Sequence, residues 1–402
     1  RDLFLTLNEE SDILIGPAVE QYVDVHKQGG QVLTLIRYFG FLENKEGNQF
    51  ISDQAISYAI VEAGVDGWNL IANITGENFT AFGFVKRDDD LAFMVRASGL
   101  LKIGNDTLKH DIQDELLYLE MTQGIWKVQA KWVAEGDFQI TQALEQNKKL
   151  MMTGKFRGEV LMDDSEWSTE TPFFDGFLME FDLSSRMLNT SFTTGVFDVS
   201  LNALIISDDD TLFIGEFVGQ VNFRDASYSE LGFTDTHIFI YSSTTKSFTI
   251  IRGEGDQRFV SAALIDNQLI LAGNFRDSLI TPGLISSCRG SSCGFVSVLD
   301  LGFEEDNTTI FESTAELAIS DLNIQNSIWS ICGTFSGTIL DYTALGEDWF
   351  CFIQDETNTN EKEVAERVKL FPNPTGGFLF LEDYHGKDFQ VLDVYGRIIY
   401  AG

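Results

Sequence analysis

A unit of about 60 residues recurs six times along this chain, and a repeat of that length restricts the fold to stacked or radially arranged modules. The segment LMMTGKFRGEV at 150–160 returns as LFIGEFVGQV at 212–221, LILAGNFRDSL at 269–279 and WSICGTFSGTI at 329–339, and more weakly upstream as AFMVRASGLL at 92–101 and LTLIRYFGFL at 33–42. Taking the second glycine of G-x-F-x-G or its equivalent, the anchors are Gly40, Gly99, Gly158, Gly219, Asp277 and Gly337, spaced by 59, 59, 61, 58 and 60 residues. Residues 85–99 match 205–219 without a gap, two periods apart.

Inside a unit the apolar residues alternate with period two, as in DTLFIGEFVGQVNF, so the elements are strands. Leu212, Ile214 and Glu216 face one way, and Phe213, Gly215 and Phe217 the other. Asp- and Asn-rich turns precede each anchor strand, at 88–90, 146–148, 208–210, 266–268 and 325–327. A second apolar strand follows about 18 residues after each anchor, as in ELLYLEMT at 115–122 and HIFIYSS at 237–243, and two more strands lead into the next unit. The prediction is an all-β, six-bladed propeller over residues 1–354 with four antiparallel strands per blade. Radial stacking covers both faces of every sheet, which accounts for 34 Phe. After WFCFIQ at 349–354 no fourth strand precedes the polar stretch 355–367, so the N-terminal LFLTLNE at 3–9 is expected to complete the last blade. A seventh blade lost before Arg1 is the competing reading.

Charge narrows function more than composition does. With 27 Lys+Arg against 62 Asp+Glu, the net charge of −35 repels nucleic-acid backbones and anionic lipid surfaces, so no nucleic-acid partner is expected. No run approaches 18 apolar residues, so no transmembrane helix is expected. The chain opens at Arg1 without Met, as after removal of a secretory signal or trimming of the chain. Cys288 and Cys293 bracket a tight segment, and Cys332 and Cys351 lie on successive predicted strands; two local disulfides or four free thiols both fit, while zinc lacks a second Cys/His set.

The G-x-F-x-G unit with its following apolar strand, best seen in GKFRGEV…FDGFLMEFD and GEFVGQVNF…DTHIFIY, resembles the bacterial propeller repeats often called SBBP repeats, over roughly residues 30–354. The tail VKLFPNPTGGFLFLE…FQVLDVYGRIIYAG at 368–402 resembles the start of a type IX secretion C-terminal sorting domain of Bacteroidetes, with Pro372, Asn373, Pro374, Thr375, Gly376, Asp393, Gly396 and Arg397 at the matching positions. That resemblance implies a truncated β-sandwich, export to the extracellular cell surface, and the outer-membrane secretion machinery as a partner. Two of the five prolines sit in the PNP turn, which marks a module boundary by itself. Asp-Thr-Leu at 106–108 and 210–212 and Asp-Ser-Leu at 277–279 resemble Bacteroidetes O-glycosylation sites, which would make Thr107, Thr211 and Ser278 acceptors.

Catalytic constellations are thin. His26, His110, His237 and His385 sit in different repeats without metal-ligand spacing, and no nucleophile elbow, Walker loop or dinucleotide fingerprint is present. No catalytic residue and no cofactor are assigned. Calcium is the weighed exception, through Asp88–Asp90 and Asp208–Asp210, against their plain use as hairpin turns. Trp126 and Trp132 lie in strand context, and Trp167 lies in a long loop where it could stack on a sugar or pack over a blade rim. The reading is a secreted, surface-displayed propeller acting as a binding or adhesion scaffold for a protein or glycan. The alternative is an extracellular carbohydrate-active enzyme, a glycoside hydrolase or lyase, with a carboxylate pair in the channel. A structural component of the secretion or gliding surface is a third reading.

Overall fold

The computed structural model describes residues 14–15, 21–28, 31–38, 41–43, 49–51, 57–64 and 67–85, most of 91–353, and 368–370, 390–392 and 398–401. Every regular element among them is a β-strand, and every pairing between strands is antiparallel. The last three repeats form separate four-stranded sheets. They are Val199–Ile206, Thr211–Val218, Thr236–Ser242 and Phe248–Ile251; then Gln257–Ile265, Gln268–Phe275, Cys293–Asp300 and Glu305–Phe311; then Glu316–Gln325, Ile328–Ile339, Tyr342–Ile353 and Val368–Leu370.

The first three repeats depart from the expectation of separate blades: their strands join one 14-stranded sheet. Two through-running strands cause this. In Gly67–Val85, residues 67–74 close the first repeat against Ser57–Gly64, and residues 74–85 open the second against Leu91–Ile103. Ile125–Gln146 does the same between the second and third repeats, pairing first with Glu115–Thr122 and then with Lys149–Met162. The four-strand pattern persists inside the continuous sheet, because neither long strand contains a proline or a turn that would break it.

Each repeat begins with a strand that carries a β-bulge at the same place. The skipped residues are Val23, Phe82, Thr141, Asn202, Val260 and Ser320. They are spaced by 59, 59, 61, 58 and 60 residues, the same intervals as the anchors, and each lies 17 residues before its anchor. The anchor itself has a left-handed backbone at Gly99 (φ 88), Gly158 (φ 70), Gly219 (φ 69), Asp277 (φ 57) and Gly337 (φ 78). Glycine suits that geometry, and Asp is among the few side chains that tolerate it.

The first glycine of the motif has a different cause. It lies opposite a phenylalanine in the third strand, as Gly154–Phe177, Gly215–Phe239, Gly273–Phe295 and Gly333–Phe350. A Cβ at any of the four would meet both that ring and a carbonyl of the first strand closer than real Cβ atoms come. The first two repeats lack the glycine and compensate across the same register, with Ile36 opposite Ala59 and Val95 opposite Leu117. Pairwise volume is conserved while the residues are not.

Both faces of the sheets are buried, as the alternation required. Leu212 and Ile214 pack with Leu269, Leu271 and Phe295 of the following repeat, whereas Phe213 and Phe217 pack with Met151 and Leu178 of the preceding one. Beyond each anchor the chain continues as a hairpin arm: Leu101–Lys109 with its turn, 159–168, 220–229, 278–287 and 338–343. These arms reach back onto the preceding repeat. Ile103 pairs with Ile74, Met162 with Ala134 and Phe223 with Thr193, while Ile280 bridges Arg252 and the Thr314 N–H donates to the Thr338 carbonyl at 2.9 Å.

The first arm, Phe41–Glu43 with Gln49–Ile51, holds Leu14–Ile15 in the place a preceding repeat takes elsewhere. No pairing among the described residues closes the sheets on themselves: the long sheet ends at Gln21–Gln28 on one side and Ala226–Ser229 on the other. The expected N-terminal clasp at 3–9 lies outside the described residues. The fourth strand of the last sheet is instead Val368–Leu370, against Phe350–Phe352, so the tail supplies the strand the sequence reading sought upstream.

Candidate functional site

Where the first strands of successive repeats meet, their bulges leave backbone groups that the ladder cannot satisfy, and polar side chains of the neighbouring repeat fill the deficit. Thr141 Oγ1 donates to the Leu201 carbonyl at 2.6 Å, and the Leu204 N–H donates to Gln142 Oε1 at 2.5 Å. The x of G-x-F-x-G performs the same task in later repeats. Glu216 Oε1 accepts the Phe259 N–H at 2.7 Å, and Asn274 accepts the Ile319 N–H at 2.7 Å while donating to its carbonyl at 2.8 Å. Phe259 and Ile319 each stand immediately before a bulge.

Glu216 is a buried carboxylate of this seam. Burial raises its pKa above the usual range, and the Phe259 N–H and the Arg258 guanidinium only partly offset that. Arg258 Nη1 lies 3.4 Å from Glu216 and its Nη2 3.5 Å from Asp256. Burial works against the Asp256 carboxylate as well, yet the Thr236 N–H and Arg258 hold its pKa below the usual value. The seam therefore carries a desolvated acid pinned to backbone and guanidinium, the arrangement of an interface latch.

A second feature lies at the root of the third and fourth arms. Phe173 and Phe197 pack edge to face with centroids 5.1 Å apart beside Val196, which is 50% exposed. Lys155 Nζ sits 4.8 Å and the Arg157 guanidinium 4.6 Å from the ring centroid of Phe174. Arg157 is ion-paired with Asp137 at 2.5 Å. Lys155 has no carboxylate partner among the described residues. The signal for this patch is in the sequence: Phe173-Phe174 and Val196-Phe197 stand outside the alternating strands, where burial in a sheet gives no reason for them.

The residues singled out from the sequence scatter. His237 is buried with Nδ1 2.7 Å from Gln257 Oε1, His26 lies on the strand Gln21–Gln28, and His110 and His385 lie outside the described residues. Asp210 is a turn hub: burial pushes its pKa up, but hydrogen bonds from Ser242 Oγ and the Thr244 and Thr211 N–H groups together hold it below the usual value. Asp88–Asp90, Asp208 and Asp209 lie outside the described residues, and no group of three His, Cys, Asp or Glu suited to a metal occurs among those described. Trp126, Trp132 and Trp167 are all buried. The sugar-stacking use of Trp167 is overturned, because Phe156, Phe177 and Phe192 enclose its ring at 5.4–5.6 Å.

Cys288 and Cys293 form a disulfide, and Cys332, also disulfide-bonded, stands directly across the ladder from Cys351. Thr107 is exposed, whereas Thr211 and Ser278 are half-buried at strand starts, with Ser278 Oγ accepting the Glu254 N–H at 2.7 Å. Pro372, Asn373, Pro374, Thr375, Gly376, Asp393, Gly396 and Arg397 all lie outside the described residues.

No protein-family profile matches this chain, and no curated protein matches it. Among solved structures it is similar to the β-propeller domain of the Trilobed protease from Pyrococcus furiosus, described as having an open velcro topology, with a TM-score of 0.37 and 11% identity over 89% of this chain and 100% of that one. It is also similar to the phage phi92 endosialidase, with a TM-score of 0.33 and 7% identity over 96% of this chain and 68% of that one.

Proposed function

We propose that the six repeats close into a six-bladed β-propeller that serves as an extracellular binding or adhesion scaffold, exported and anchored through the sorting region at 368–402. The observation that carries this reading is a constant frame bearing variable tips. The bulge and the arm recur in every repeat, and the left-handed anchor in the five repeats whose anchor is described, yet the arm tips read NKEGN at 44–48, GN at 104–105, DD at 163–164, RD at 224–225, TPGL at 281–284 and LD at 340–341. Variation confined to loops on a rigid frame is how scaffolds diversify what they bind.

The test is a panel of immobilised polysaccharides and outer-membrane glycoproteins, probed with the full chain and with a variant whose 281–284 and 44–48 tips are replaced by Asn-Gly. Retention of a defined ligand by the parent and its loss from the variant, with unchanged unfolding, supports the reading. Steady release of reducing sugar from a polysaccharide would replace it with the hydrolase. Export is tested separately, by deleting 371–402 in a host that carries type IX machinery; surface display that survives the deletion refutes the sorting role.

A further inference from the structure

We propose that the fourth place of the last sheet takes either of two strands from this chain: Val368–Leu370, which fills it in the structure, or residues 8–13, which fill it when the tail leaves. The inference rests on the six-repeat ring, in which the first repeat follows the last, and adds an exchange that fastens or frees residues 371–402. The register of the arms names the second strand. Three residues past each anchor, Lys102 pairs with Thr75, Leu161 with Glu135 and Asn222 with Thr194. Each partner stands one or two residues beyond a fourth strand, since Ile74, Val133 and Thr193 are the last residues there to pair with the third strand. At the same distance from Gly40, Glu43 pairs with Leu14. By that rule the residues before Leu14, which lie outside the described ones, run along the third strand of the repeat preceding the first. In a ring that strand is Tyr342–Ile353, whose edge at Phe350–Phe352 holds the tail. Leu14–Ile15 itself falls beyond the contested positions, so the first arm keeps its place in either state.

The tail's attachment is the slightest of the six. Elsewhere 2–5 residues join the third and fourth strands, which pair at four to eight positions, whereas here 14 residues join them and three positions pair. A longer connection lowers the effective concentration of the strand at its edge. The sheet survives the exchange, because Tyr342–Ile353 keeps nine paired positions with Ile328–Ile339, and Phe350 and Phe352 are buried with Ile331, Phe335 and Val296. Charge decides between the two strands. Residues 290–361 carry thirteen acids and no Lys or Arg. The tail brings Arg367 and Lys369 to that region, whereas 8–13 bring Glu9, Glu10 and Asp12 and no base. Opposite charges on adjacent strands favour pairing and like charges oppose it, so the tail holds the edge at low salt and loses its advantage as salt screens both.

Hydrogen exchange of the full chain, read by mass spectrometry at 8–13, 350–352 and 368–370, tests this. Between about 0.01 M and about 1 M salt, where the screening length falls from about 30 Å to about 3 Å, exchange at 368–370 should quicken about tenfold while 8–13 slow by a like factor. Lys369→Glu should produce that shift at low salt. Lys369→Pro, which removes a backbone donor from the tail strand in an otherwise intact chain, should protect 8–13 at every salt concentration. Residues 350–352 should stay protected throughout. Unchanged 8–13 in Lys369→Pro, loss of protection at 350–352 together with 368–370, or protection of 8–13 and 368–370 that rises and falls together would each overturn the exchange. Small-angle scattering of the same samples separates this from the ring. A closed ring without exchange refutes the exchange alone, and an open row of sheets refutes both.

Discussion

Replacing Gly215 tests why the motif begins with glycine. A Cβ there would be wedged between the Phe239 ring and the Ser200 carbonyl, and the carbonyl belongs to a paired strand that cannot yield. Gly215→Val should therefore cost about 3 kcal/mol, the upper end for overpacking in a tight core. Phe239→Leu alone removes part of a fully buried ring and should cost about 1–2 kcal/mol. The second repeat already holds the combined solution as Val95 opposite Leu117. The double variant relieves the clash with the ring but not the one with the carbonyl, so it should lose about 1–2 kcal/mol less than the sum of the two single losses, a coupling between directly paired residues. Urea unfolding followed by both far-ultraviolet circular dichroism and tryptophan fluorescence measures the cycle. Losses that add to within about 0.5 kcal/mol would refute the volume-exchange argument.

The anchor and latch positions make further predictions. Gly158→Ala, with open space around the new methyl, should cost only about 1 kcal/mol for the left-handed backbone, whereas Gly337→Ala, which meets Thr314 Oγ1 at 2.6 Å, should cost more; equal losses in thermal unfolding would contradict this. Glu216→Ala strands the Phe259 N–H and should destabilise by about 1–3 kcal/mol, while Glu216→Gln keeps an acceptor and should lose less. Because burial raises the folded pKa of Glu216 above its ordinary 4.5, its contribution is complete below that value and is lost as pH rises through the raised pKa. Stability relative to Glu216→Gln should therefore fall over that window, and a rise would show the sign to be wrong. Asp210 behaves oppositely: its lowered pKa gives stability above about 3.8 that disappears on acidification, so Asp210→Asn should flatten the acid limb of the stability–pH curve. Replacing Cys288 and Cys293 together by Ser should cost about 2 kcal/mol, the loop-closure value for so short a ring, read as a lower unfolding midpoint.

Much of the architecture is legible in the sequence because its causes are local. Period-two alternation places Leu212 and Ile214 on one face and Phe213 and Phe217 on the other, and the two sets enter different clusters. The anchor spacing is legible because a left-handed residue must be Gly or a tolerant Asp. What escapes is non-local. Nothing in Gly67–Val85 or Ile125–Gln146 announces that one strand serves two repeats, since pairing partners are chosen across the sheet. The x of G-x-F-x-G varies from repeat to repeat and nothing local announces its partner, yet at Glu216 and Asn274 it holds the next repeat's bulge. Trp167, expected in a long loop, lies on the short strand Ser165–Ser168, and its burial depends on rings of other strands that surround it.

The proposed propeller extends to all six repeats the docking seen between neighbours, in which each repeat lays its arm on the fourth strand of the repeat before it. A crystal structure of the full chain tests this most directly. It should show Gln21–Gln28 beside Glu316–Gln325, with the first arm joined to the last sheet through the segment ending at Leu14–Ile15. An open row of sheets, or a ring whose first and last repeats meet without that arm, would contradict it.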